Sequence, residues 1–152
     1  MRKIADVLSF AMVFAWSTIA FAVDFNVYPG AKPDAKASQE ANQVLAEAGM
    51  TGTKATIYTS NDSFEKVYAF YKGSSKEYKM PHQTEGKVKK LPSGQELREA
   101  YFIFDGAADI MSSKLWIKIQ RPYIGRVEMG KDFQVKYEDV RDITAITVSE
   151  QK

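Results

Sequence analysis

Apolar residues recur in two helical stripes early in the chain and in alternating runs later on. From Asp34, the positions Ala37, Ala41, Val44, Leu45 and Ala48 follow helical spacing, with Asp34 as N-cap and Gly49 as a left-handed stop. So thin and alanine-rich a stripe predicts a helix packed closely on a sheet. Thr53 to Thr59 alternates, Ala55 and Ile57 to one side and Thr56 and Tyr58 to the other, which predicts a first strand. Asp62 is then placed to cap a second helix, with Glu65 closing a capping box. Phe64, Val67, Tyr68 and Tyr71 form its apolar face, and Gly73 ends it.

The second half reads as strands. Ser74 to Gly94 is predicted to be a long loop with a short strand near Tyr78. Glu96 to Phe104 resumes with Ala100, Phe102 and Phe104 on one side, before an Asp105-Gly106 turn. Lys114 to Gln120 sends Leu115, Ile117 and Ile119 inward and Trp116, Lys118 and Gln120 outward, until Pro122 stops it. Phe133, Val135 and Tyr137 suggest a further strand and Ile143 to Val148 a last one, with Asp139 to Asp142 as a turn or single helical turn between them. Helices first and strands afterwards, joined by short links, predict one α+β domain. Its antiparallel sheet would have about four to six strands, with both helices packed on one face. The strand between the helices leaves a parallel crossover, and so a mixed sheet, open.

Ahead of this pattern lies an apolar opening. Arg2 and Lys3 precede a run from Val7 to Phe21, and Ala20-Phe21-Ala22 has the small-x-small form that a signal peptidase accepts. The expectation is cleavage after Ala22, leaving Val23 to Lys152 as a single exported domain, periplasmic or else extracellular. The run is shorter than the roughly 20 residues that cross a bilayer, so a retained anchor is the lesser reading. Without paired arginines the chain is expected to leave unfolded, which argues against an elaborate cofactor, and none is expected.

Composition narrows the chemistry further. Cysteine is absent, which removes disulfides, thiolate metal sites and the acylation site of a lipoprotein. The opening takes two basic and one acidic residue from totals of 21 and 19, so the formal charge of +2 falls by one on cleavage. So even a balance exerts no general pull on nucleic acid or anionic membrane.

Val27-Tyr28-Pro29-Gly30-Ala31 places a type II turn before the first helix. Together with the strand end Tyr58-Thr59-Ser60 and the helix from Asp62 through Phe64-Glu65-Lys66-Val67 to Phe70-Tyr71, it resembles small exported bacterial proteins of unassigned function. These share a YPGA turn and a DSFEKVxxFY helix. The likeness spans Val27 to Gly73 and implies an envelope compartment and an α+β architecture. It carries no functional residue.

Few residues suggest a reaction. His82 is the only histidine and follows Pro81 in a polar stretch, with no G-x-S-x-G elbow to partner it. Asp105 and Asp109, and Glu138, Asp139 and Asp142, lack the spacing of a calcium loop and suit turns and caps; no metal is expected. From Lys72 to Lys90, six lysines outnumber Glu77 and Glu85, with Lys87, Lys89 and Lys90 closest together. Phe70, off the helix stripe, and outward-facing Trp116 suggest an exposed apolar patch, unless Trp116 lies beneath a helix.

The expectation is therefore a non-enzymatic binding or interaction protein of the bacterial cell envelope, contacting an envelope protein or an anionic polymer through Lys87, Lys89, Lys90 and Trp116. Specific nucleic-acid binding and stable membrane insertion after cleavage are not expected. The alternative is a small envelope hydrolase using His82 with a serine or carboxylate.

Overall fold

Tyr28 to Ala31 forms the expected type II turn: the Ala31 N–H donates to the Tyr28 carbonyl at 3.0 Å and Gly30 takes φ +82°. The computed structural model describes residues 25–81 and 89–152. In chain order the elements are β1 (Lys32–Pro33), α1 (Ala35–Glu47), β2 (Thr53–Ser60), α2 (Phe64–Lys72), β3 (Lys76–Tyr78), β4 (Lys89–Lys90), β5 (Glu96–Ile103), β6 (Leu115–Arg121), β7 (Tyr123–Met129), β8 (Val135–Arg141) and β9 (Thr144–Gln151). The fold is α+β. Its main sheet has seven strands, ordered β1-β2-β9-β6-β5-β3 with β4 also on β5, while β7 and β8 form a separate ribbon. Every pairing is antiparallel, so the sheet is larger than expected and not mixed.

Residues directly opposite one another in paired strands point to the same face. Ala100, Phe102, Ile117, Ile119, Ile146 and Val148 share one face by register, and all are buried. Onto it α2 lays Val67 and Tyr71, both fully buried, with Phe64 and Tyr68 packed alongside. Burial pushes the Tyr71 phenol up to about 12, and its hydroxyl accepts the Tyr28 N–H at 2.9 Å. Helix α2 starts one residue later than the sequence suggests. Ser63 is the N-cap, accepting from the Lys66 N–H at 3.4 Å, because the Asp62 carboxylate instead takes the Tyr28 hydroxyl at 2.7 Å. Glu65 pairs with Arg98 rather than closing a capping box.

Helix α1 lies elsewhere. Asp34 caps it, accepting from the Ala37 N–H at 2.9 Å, and Gly49 stops it at φ +76°. Ala37 packs on Ile57, Ala145 and Tyr123, and Ile57 and Ala145 belong by register to the face opposite α2. The two helices therefore do not share a face. The reason is the outer edge of β2: β9 pairs along its other side, but β1 reaches only Tyr58 and Thr59, so no strand lies beside Ala55 and Ile57 on the outer side. Helix α1 supplies side-chain partners instead, the Ser38 hydroxyl accepting the Ile57 N–H at 2.8 Å and Asn42 bonding Ala55. Covering an edge in this way protects it from pairing with another chain.

Strands β6 and β7, and β8 and β9, make one long hairpin with a bend. Gln120 pairs with Ala145 and Tyr123 with Arg141, so Arg121 and Pro122 on one strand face Asp142, Ile143 and Thr144 on the other. An extra residue of this kind kinks a ribbon and re-aims its outer part. The Arg121 guanidinium holds the bend, donating to the Asp142 carbonyl at 3.0 Å, the Asp62 carbonyl at 3.0 Å and the Thr144 hydroxyl at 3.2 Å. Beyond it, β7 and β8 leave the sheet as an arm.

Candidate functional site

The arm has two unlike faces. Register and alternation put Val127 and Met129 with Tyr137 and Val135 on one side, and Arg126 and Glu128 with Glu138 and Lys136 on the other. Apolar residues on a two-stranded ribbon normally need a covering layer. Here Val127 is 59%, Met129 70% and, at the connecting turn, Phe133 86% exposed. Val135, on the same face, is also exposed. Clustering of this kind marks contact surfaces, whereas single exposed aliphatics are ordinary.

The root of the arm is firmly seated. Both terminal nitrogens of Arg141 donate to Asp34 Oδ2, at 3.0 and 3.1 Å, and its guanidinium lies 4.3 Å from the centre of the Tyr123 ring. Arg141 Nε is 3.5 Å from Asp139 Oδ1. Tyr123 itself is buried against Ala37 and Ala145. The apolar end is thus carried on a fixed base.

Beside the bend opens a polar cleft of about 490 Å³, lined by Ser63, Phe64, Glu65, Glu96, Arg98, Arg121, Pro122 and Asp142 among others. Its charges answer one another: Arg98 pairs with Glu65 and Glu96, and Arg121 Nε with Asp142 at 3.1 Å. Ser63, its serine, is occupied as the cap of α2. At its edge the Arg121 donation to the Asp62 carbonyl ties the bend to the start of α2.

The residues singled out from the sequence fall in different places. His82, Lys87 and the cleavage residues Ala20 and Ala22 lie outside the described residues. Lys89 and Lys90 are exposed on β4, opposite Leu97 and Glu96, and the Lys89 ammonium stands 5.8 Å from the centre of the Tyr137 ring on the arm. Trp116 is half-buried beside Tyr101, with ring centres 6.3 Å apart, on the face opposite α2. Phe70 packs at 5.4 Å from Tyr28 and 4.9 Å from Tyr71, on the α2 side of the sheet. Sheet and helix separate the two, so they form no common patch.

The acidic residues take local roles. Burial raises the Asp105 carboxyl, but bonds from the Lys114 and Ala107 N–H groups and the Ser113 hydroxyl outweigh it and leave the pKa below its ordinary value. Asp109 accepts the Ser112 N–H at 2.9 Å, which lowers its pKa too. Among the described residues no three His, Cys, Asp or Glu side chains gather as metal ligands, and no helix is long and apolar enough to cross a membrane.

Sequence reasoning missed β7 and ended the strand at Pro122. The signal was present: Val127 and Met129 alternate with Arg126 and Glu128, but Gly125 and the proline break the run before it reaches strand length. No protein-family model matches the chain, and no curated protein or solved structure does either.

Proposed function

We propose that the protein is a non-enzymatic binding module of the bacterial cell envelope, exported by its apolar opening segment and engaging its partner through the β7–β8 arm. One observation carries the reading: Val127, Met129 and Phe133 project exposed apolar surface from an arm whose root is anchored by Arg141 and Arg121. Ordering cost is low for a contact element that is already held in place, which favours binding. Export is supported by the basic start, the apolar run and the Ala20-Phe21-Ala22 site.

The test expresses the full-length chain in a bacterial host, with a photocrosslinker at Phe133 or, as a control, at exposed Lys54 on β2. Envelope components captured from Phe133 and lost on Met129→Ser, with His82→Ala without effect, support the proposal. Capture that ignores the arm, together with an activity abolished by His82→Ala, replaces it with the hydrolase reading. A product retaining Met1, seen by mass spectrometry, removes the export part.

A further inference from the structure

Resting on the reading of the arm as the contact element, we infer that two copies of this chain pair through the outer edges of β7, antiparallel about a two-fold axis at Val127. Among the described residues β7 pairs only with β8, so its other edge presents unpaired backbone donors and acceptors. Charged residues on such an edge normally repel a second strand. The pattern here does the reverse. Arg126 and Glu128 flank Val127 with opposite signs, so antiparallel pairing centred on Val127 sets each Arg126 against Glu128 of the second copy, twice by symmetry. Val127 then meets its own counterpart, and Met129 comes opposite Gly125, where the Asp139 side chain of the facing copy lies close over the glycine.

Within one copy, Arg126 Nη1 lies 3.3 Å from Glu128 Oε1 along the same strand, and both side chains are well exposed. They can exchange that contact for the one across the axis without breaking any buried interaction. The edge of β8 is the poorer candidate, because Asp139 interrupts its backbone at φ +50°. Pairing along β7 converts a two-stranded ribbon, marginal by itself, into a four-stranded sheet.

Sedimentation of the full chain over a range of concentrations tests this. The wild type is expected to show a monomer–dimer equilibrium. Arg126→Glu and Glu128→Arg should each weaken it at least about tenfold by setting like charges opposite one another. An equal mixture of those two variants should associate again as a mixed dimer. Since the chain has no cysteine, Val127→Cys supplies a single thiol at the axis, and under mild oxidation it should link copies faster than the more exposed Phe133→Cys. A wild type that stays monomeric, a dimer indifferent to both charge changes, or Phe133→Cys linking as fast as Val127→Cys would overturn the pairing. A monomer that still captures an envelope component through Phe133 sinks only the second copy as partner, whereas a dimer without arm-dependent capture sinks only the wider binding role.

Discussion

Asn42 stands beside Ala55 as a neighbouring strand would: its side-chain amide donates to the Ala55 carbonyl at 2.7 Å, and its oxygen accepts the Ala55 N–H at 2.9 Å. A helix thereby satisfies a strand edge. Asn42→Ala leaves both backbone groups of a half-covered edge without partners, at an expected cost of about 1–3 kcal/mol in urea unfolding. Opening the edge should also raise light scattering on warming, as unpaired β2 backbone recruits other chains.

Asp34 joins two distant jobs, capping α1 through Ala37 and receiving Arg141 from the arm. The Ala37 N–H bond pulls its carboxyl below the ordinary value of 3.8, burial opposes this, and Arg141 adds to the lowering. A carboxyl depressed in the folded state contributes stability above its unfolded pKa, and that stability is lost as pH falls through the folded value. Unfolding midpoints should therefore drop between about pH 5 and about pH 2, and the drop should be shallower in Asp34→Asn. At neutral pH Asp34→Asn keeps a capping oxygen and loses the ion pair, for up to about 1 kcal/mol, while Asp34→Ala loses the cap as well, for about 1 kcal/mol more.

Stability and contact surface are expected to separate cleanly. Phe102 is fully buried at the centre of the α2 face, and Phe102→Ala should cost about 3–5 kcal/mol. Met129→Ala, on the arm, should shift the unfolding midpoint by no more than about 0.5 kcal/mol while weakening capture of any partner. A large loss of stability from Met129→Ala would mean that the arm is covered from within.

Lys89 and Lys90 are both exposed on β4, and Lys87 precedes them in sequence. If an anionic polymer is a partner, binding should fall steeply with salt and should weaken when Lys87, Lys89 and Lys90 are neutralised together. Retention on an anionic matrix across a salt series measures it; retention that is independent of salt removes this contact.

Local patterns carried much of the fold. The turn at Pro29-Gly30, the caps at Asp34 and Gly49, the α2 stripe and the alternation of β2, β5, β6 and β9 each use neighbours within a few residues, so they are legible in order along the chain. The shift of the α2 cap from Asp62 to Ser63 was not, because the competing partner, Tyr28, is remote in sequence. Trp116 shows the same limit: alternation gave its side of the strand, but its half-buried place beside Tyr101 depends on which strand lies next to β6.

By itself, the sequence determined both helices and the longer strands of the main sheet and which side of each is apolar, since backbone geometry ties those properties to spacing; it did not give β7, whose period Pro122 and Gly125 interrupt, or the Asp139–Arg141 end of β8, which reads as a turn. Tertiary structure decided the rest: that α1 covers the edge of β2 while α2 covers a face, and that the β6–β9 hairpin bends at Pro122 to free an arm. These outcomes turn on where unpaired backbone groups and remote charges such as Asp34 and Arg141 find one another, which no local period encodes.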